Sequence, residues 1–433
     1  MKESIRLLIA VMMILADRGI AQSPEWIVYT PSNSTLPGQR ITSIVIDHSN
    51  QKWVATRDDG ISTFDDKAWF FHDAVSIGLR SDIGAMLVNS NGHIFATDYG
   101  ITQFGISEWD GNKWTLIHPA YNSNPYIHTL AYSFVGDKYG NIYYGSEALN
   151  YVKYDGKAWY MDKYPTYDIG EQIYAIALDS TDNLWLGSKD DWESGDYGII
   201  FSKENDKWNI YFPDDAGALG YTIFGSVNAI SIDKYQNKWI GKSNSGGLIK
   251  FDDKIWTEFT TSNSGLPHNN VYAITLDKSG NKWIGTEGGL VKYNDTTWTV
   301  YTKSNSGLPD DYITAIVVDK YDNKWIGTYS GGLAVFRKGG VILGVEDEEI
   351  SKEIGISPNP ARDEITIFGL NRRANPTVDG MEDIRIYNIL GECVKKPHPS
   401  PPQGEGVRID VSGLESGVYS IRIGSITKLF VKK

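Results

Sequence analysis

Cysteine is almost missing from this 433-residue chain: Cys393 is the only one. No internal disulfide can form, so packing alone must hold the fold. Long apolar runs are missing too. The run at residues 7–16 is too short to span a bilayer, and no other segment is apolar enough to cross one. Positive charge is in deficit, with Lys+Arg 41 against Asp+Glu 54 and a net charge of −13. Such a surface repels phosphate backbones, which argues against a nucleic-acid partner. Attraction to anionic polysaccharide is expected to be weak unless a local basic patch overrides the field. No HExxH, G-x-S-x-G, glycine-rich phosphate loop or cysteine cluster occurs, so no metal and no cofactor is expected.

The amino terminus predicts a secretory signal peptide over residues 1–21. Lys2 and Arg6 form a short basic region, the apolar run follows, and Gly19 and Ala21 supply small residues before Gln22. The competing reading is a buried terminal helix. No cysteine lies near the cut, which excludes a lipoprotein anchor, and no transmembrane segment is expected in the mature chain.

Aromatics are plentiful, with 14 Trp and 26 Tyr. They follow a repeat. Residues 263–286 read NSGLPHNNVYAITLDKSGNKWIGT; nearly the same text starts at Asn305, and a degraded copy starts at Asn33. Each unit reads as four short strands bounded by Gly, Asn, Asp and Pro. The first strand closes on Asp47, Asn89, Asp137, Asp179, Asp233, Asp277 and Asp319 in turn. The second carries Trp53, Ile94, Tyr143, Trp185, Trp239, Trp283 and Trp325, the second unit being read as having lost its aromatic. The first strand lacks clean polar alternation and is expected to be covered on both faces. Seven such units in a row predict an all-β fold: a seven-bladed β-propeller over residues 22–340, against the alternative of an open β-solenoid.

Fourth strands start at Trp69, Trp114, Trp159, Trp208, Trp256 and Trp298, one fewer than the units need. Residues 26–30, WIVYT, match WTVYT at 298–302. They are expected to complete the last blade and so remove an open edge. Twelve Trp fall on repeat positions and Trp109 fills a third-strand aromatic place, so these thirteen are expected in the core. Only Trp192 has no such place.

The repeat resembles the two-component regulator propeller repeat, whose consensus runs through an NSGLP-type turn, an apolar strand ending in Asp, and GN-x-W-x-G-T. The resemblance implies a propeller scaffold of the kind used in extracytoplasmic sensors, often associated with glycans. This chain carries no kinase or DNA-binding segment, so the scaffold transfers and the signalling role does not.

Composition changes after Gly340. Residues 341–355 form an acidic linker, and residues 356–433 hold short strands at 364–368, 384–388, 407–411, 418–423 and 428–431, read as a small Ig-like β-sandwich. Pro358-Asn359-Pro360, the YNILGE run with Gly391, the LESGVY run with Gly417 and Tyr419, and the closing KLFVKK with Lys432 and Lys433 resemble the type IX secretion system C-terminal sorting domain. That resemblance implies the type IX machinery as a partner and a secreted or cell-surface destination. An ordinary terminal Ig-like module is the plainer alternative.

Departures from the repeat are where function is usually grafted. The fourth unit inserts Asp190, Asp191, Trp192, Glu193, Asp196 and Tyr197 where the sixth has only Glu287 and two glycines. An aromatic flanked by carboxylates suits a sugar, the ring stacking on C–H groups while the acids accept hydroxyl protons. A solvated loop with a packed Trp explains the same residues. His118, Tyr121, Tyr126 and His128 in the third unit form another candidate group. A third follows the second strands: Arg57, Asp98, Glu147, Lys189, Glu287 and Tyr329. Repeated D-x-x-[GD]-N text hints at calcium, but Asx-stabilised turns account for it. The leading expectation is a non-catalytic module binding glycan or protein. The alternatives are an extracellular carbohydrate-active enzyme, hydrolase or lyase, on the same scaffold, and a structural or adhesion protein.

Overall fold

A computed structural model describes residues 23–57, 60–79, 82–98, 106–117, 132–145, 150–163, 172–189, 198–211, 225–244, 246–343, 355–358, 360–368, 384–388, 393–395, 406–423 and 426–433. The signal-peptide region lies outside them. The chain divides into two compact units, Met1–Leu343 and Gly344–Lys433. Among the described residues no helix is long and apolar enough to cross a membrane.

The first unit is built of repeated four-stranded antiparallel sheets, the arrangement of a propeller. Among the described residues they lie at 41–73, 83–117, 134–163, 173–211, 227–259, 271–301 and 313–336, and are called here the first to seventh sheets. The seventh holds three consecutive strands, and its fourth is Trp26–Tyr29, antiparallel to Leu333–Phe336 with Trp26 opposite Phe336. The one helical turn described is 3-10, Val75–Ile77.

The repeat text explains the local geometry. In NSGLP, the Asn263 carboxamide accepts the Thr260 N–H at 2.7 Å and donates to the Glu258 carbonyl at 3.1 Å, while the Ser264 hydroxyl donates to the Thr260 carbonyl at 2.6 Å. Asn33 and Asn305 repeat these bonds. The turn's backbone is thus satisfied by its own side chains. Its glycine lets the loop lie on a tryptophan: a Cβ at Gly265 would stand 2.4 Å from Trp298, and one at Gly307 would stand 2.5 Å from Trp26.

The residue closing each first strand, an aspartate except for Asn89 in the second sheet, organises the next turn. Asp277 Oδ1 accepts the N–H groups of Ser279 and Asn281, and Oδ2 accepts Asn281 Nδ2 and Trp283 Nε1, the last at 3.0 Å. Asp47, Asp233 and Asp319 hold Trp53, Trp239 and Trp325 in the same way. Burial alone would raise the Asp277 carboxyl's pKa, but the bonds from Asn281 and Trp283 outweigh it and hold the group below its usual range. The Asx-turn reading of the D-x-x-[GD]-N text is what these bonds describe.

Strand register corrects one sequence assignment. Trp53 pairs with Val45, two residues before Asp47, and in the second sheet the residue so placed is Phe95, opposite Leu87. The aromatic is therefore kept, fully buried, and Ile94 occupies the place of Lys52. Burial also falls differently from expectation. It is complete along five of the second strands, as in Lys282–Thr286, whereas first strands such as Val271–Leu276 mix buried and half-buried positions. The second strand lies between two strands of its own sheet and between neighbouring sheets. Consistently, the five second-strand tryptophans are buried, while the fourth-strand tryptophans and Trp109 are half-buried.

Sheets join through aromatic stacks. Tyr301 lies nearly parallel to Trp283 at 5.9 Å and meets Phe336 and Trp26 of the seventh sheet. Tyr29 plays this part between Trp325 and the Phe64–Trp69 pair of the first sheet. Small residues let first strands approach: a Cβ on Gly285 would stand 2.7 Å from Ile313, and one on Gly327 would stand 2.6 Å from Ile41. The seventh and first sheets are also bridged by the Thr314 hydroxyl, which donates to the Ile41 carbonyl at 2.7 Å.

The second unit contains a three-stranded sheet and a four-stranded sheet among the described residues. Its strands include the five expected, plus Gly355–Ser357 and Cys393–Lys395. Both sheets contribute to one core around Ile365, Ile386, Ile409, Tyr419, Ile421 and Phe430.

Candidate functional site

In each sheet, the first strand's start and the second strand's end lie side by side. The backbone proves this: N–H groups of Arg57, Lys189, Glu287 and Tyr329 donate to the carbonyls of Arg40, Gln172, Asn270 and Tyr312, at 2.8–3.2 Å. Four members of the ring expected after second strands therefore occupy the same end of their sheets. Glu147 and the side chain of Asp98 lie outside the described residues. So do Asp190, Asp191, Trp192, Glu193, Asp196 and Tyr197, and likewise His118, Tyr121, Tyr126 and His128.

At that end a column of rings crosses from the sixth sheet to the seventh and is capped by an arginine from the first. Tyr272 of the sixth stacks on Tyr312 with centroids 4.9 Å apart, and Tyr312 stacks on Tyr329 of the seventh at 4.9 Å and 13°. The Arg40 guanidinium, from the loop leading into the first sheet, lies 4.1 Å from the Tyr329 centroid, within cation–π range. Burial and the Tyr272 hydroxyl push the Tyr312 phenol well above its usual range, so it stays a neutral donor. Tyr329 is 39% exposed.

Polar groups flank the column. Asn270 Nδ2 donates to Glu287 Oε2 at 2.7 Å, and the Asn270 N–H donates to His268 Nδ1 at 3.1 Å. The latter bond makes Nδ1 an acceptor and leaves the ring proton on Nε2. Asp310 accepts the Ser330 N–H and hydroxyl, both at 2.7 Å. Elsewhere at this end Arg57 faces Asp82 at 3.6 Å, and Tyr132 packs on Tyr174 at 4.2 Å with Lys189 nearby.

Tyr272 and Tyr312 lie inside the repeat text and its copy, so neither stands out as a departure from the repeat. One signal was available. Tyr272 stands where Thr42, Asn228 and Thr314 stand in other units, and those three bond to a neighbouring sheet's backbone through their side chains. Tyr272, like Tyr174 in the fourth sheet, sets an aromatic ring in that place instead.

In the tail, Tyr419 donates its hydroxyl to the Glu415 carbonyl at 3.0 Å and packs on Phe430. Lys432 pairs with Gly417 across the sheet, and Lys433 N–H donates to the Ala361 carbonyl at 2.8 Å. Pro358 and Pro360 are exposed. Asn359 and Gly391 lie outside the described residues.

Comparison with known proteins agrees with this anatomy. Residues 355–433 match the secretion system C-terminal sorting domain, and residues 265–288 match the two component regulator propeller. No curated protein matches the chain. Among solved structures, PorZ, an essential surface component of the type-IX secretion system of Porphyromonas gingivalis, is similar with TM-score 0.57 and 16% identity, covering 94% of this chain and 60% of that one. The extracellular domain of the hybrid two component system BT3049 from B. thetaiotaomicron is similar with TM-score 0.60 and 17% identity, covering 94% and 57%. Virginiamycin B lyase from Staphylococcus aureus is similar with TM-score 0.58 and 12% identity, covering 73% and 99%. The chain thus spans about three fifths of the first two proteins, and at these identities the likeness concerns the fold alone. The chain carries a two component regulator propeller repeat and ends in a secretion system C-terminal sorting domain, which indicates export through the type IX system to the cell surface or outside.

Proposed function

We propose that the protein is a secreted or surface-displayed, seven-bladed β-propeller, closed by its amino-terminal strand, that binds a glycan or protein ligand without catalysis. In this reading residues 1–21 are a signal peptide, 22–340 the propeller, 341–355 a linker, and 356–433 an Ig-like sorting domain. Closure is supported by the pairing of Trp26–Tyr29 with Leu333–Phe336 and by the Thr314 bridge between the last and first sheets.

The observation that carries the binding role is the column of Tyr272, Tyr312 and Tyr329 under Arg40. Its rings spend their faces on one another, so what they offer outward is edges and hydroxyls, with the Arg40 donors and the Glu287 acceptor beside them. Such a strip is already ordered, and a ligand meeting it loses little side-chain entropy. Hydrogen-bonding edges of this kind suit sugar hydroxyls or a peptide backbone.

Tyr329→Ala is the variant that tests the site. Ligands of the wild-type protein should bind at least about tenfold more weakly to it, with the melting temperature lowered by no more than about a few degrees. Unchanged affinity on a glycan array and in protein pull-down would remove the column from the site.

A further inference from the structure

At four junctions between sheets a lysine from one sheet lies over the second-strand tryptophan of the preceding one. Lys52 stands 5.0 Å from the Trp325 centroid, Lys238 4.5 Å from Trp185, Lys282 4.7 Å from Trp239, and Lys324 4.9 Å from Trp283. All four lysines are buried. Each ammonium is paired with a carboxylate: Asp66, Asp253, Asp295 or Asp322. Lys52 also lies 3.9 Å from Asp319 Oδ2, the oxygen that accepts Trp325 Nε1. The junctions therefore share one device, an ammonium held between an aromatic face and carboxylates.

The junction of the first and second sheets has the tryptophan, Trp53, but not the device. The lysine place holds Ile94, which packs on Trp53 but ends short of where an ammonium would sit. The place of Asp66, Asp253 and Asp295, three residues before the fourth-strand tryptophan, holds Gly111, whereas Asp322 belongs to the turn before its own second strand. Both charged groups are gone together, and a cavity of about 480 Å³ opens there. Trp53, Phe70, His72 and Trp109 line it, with Ile94 and Gly111. His72 takes the place of Tyr29 or Tyr301 in the stack, 5.5 Å from Trp53 and 16° from parallel. Burial lowers its pKa, so near neutral pH it faces the cavity without charge. Asp47 also lines the cavity; its Oδ2 accepts Trp53 Nε1 at 3.1 Å, as Asp319 accepts Trp325. These turns lie at the end of the sheets opposite the tyrosine column, so this site stands apart from the binding role proposed above.

We propose that the cavity between the first and second sheets binds the ammonium group of a ligand, a lysine side chain or similar alkylamine, in the place that an internal lysine fills at those four junctions. The aromatic walls supply the cation–π surface, and Asp47 supplies the counter-charge that Asp319 gives Lys52. Quaternary or primary alkylammonium groups are the usual guests of such aromatic pockets, and the volume admits a side chain of that length.

Two variants with opposite expected effects test this. Gly111→Asp restores one carboxylate. A Cβ at 111 would meet nothing within 4 Å, and Asp66, Asp253 and Asp295 hold the same turn position at φ 70–73°. Ile94→Lys with Gly111→Asp restores the whole internal pair and fills the site. Nα-acetyl-lysine N-methylamide and its norleucine counterpart are titrated into the mature protein, read by tryptophan fluorescence and saturation-transfer NMR. The lysine compound should bind saturably and the norleucine compound at least about tenfold more weakly. Gly111→Asp should tighten lysine binding several-fold, and the double variant should abolish it while keeping the wild-type circular dichroism. Equal affinity for both probes, no saturable binding, or unchanged binding in the two variants would overturn the proposal.

Discussion

Removal of residues 22–30 from the mature protein is expected to destroy cooperative folding of the first unit. The strand lost is short, but little else covers its partner. Leu333–Phe336 would lose one of its two antiparallel neighbours and become an open edge, the template for intermolecular pairing. Trp26 stacks on Phe336 at 4.4 Å, and Tyr29 sits between Trp325, Phe64 and Trp69. Truncating an aromatic of this kind costs about 3–5 kcal/mol. Losing two reaches the about 5–15 kcal/mol that a domain has in total. The N–H groups of Arg337 and Val341, which donate to the carbonyls of Glu25 and Pro24, would lose their partners as well. Thermal unfolding by circular dichroism should lose its sigmoidal transition, and size-exclusion chromatography should show aggregates. A truncated protein that melts at the wild-type temperature as a monomer would contradict closure by this strand.

Trp325→Ala is expected to cost about 3–5 kcal/mol in urea unfolding. The side chain is fully buried, and three groups depend on it. Tyr29 loses the ring it parallels, Lys52 loses the face beneath its ammonium, and Asp319 Oδ2 loses the Nε1 donor at 2.9 Å. Trp325→Phe separates these contributions. It keeps an aromatic face but drops the donor, leaving a buried carboxylate oxygen short of one bond, at about 1–3 kcal/mol. A smaller cost for alanine than for phenylalanine would show that the ring does not organise the junction.

The repeat made the sheets legible because its signals are local and redundant. Asp277, Asn281 and Trp283 lie within one hairpin, so their spacing alone reports the turn and its hydrogen bonds. The same logic exposed Trp26 as a strand without a unit. Register was harder. Ile94 and Phe95 are both apolar neighbours, and only the partner strand tells which faces the next sheet. The buried lysines were harder still. A lysine before Trp in an alternating strand reads as solvent-facing, and its true neighbours, such as Trp325 for Lys52, are contributed by another sheet. The tyrosine column has the same origin: Tyr272, Tyr312, Tyr329 and Arg40 are distant in sequence, and only the lateral approach of three sheets brings them together. The tail's signature was legible as a signature, while the strands at 355–357 and 393–395 are three residues each and carry no period to read.

Binding without turnover, as proposed for this protein, is tested most directly by a paired measurement on the mature wild-type chain. The protein is applied to a glycan array and to pull-down from surface extracts, and each ligand found is then incubated with it in reducing-end and unsaturated-product assays. Saturable binding with no product above the protein-free control is the expected result. Turnover of any polysaccharide would contradict it.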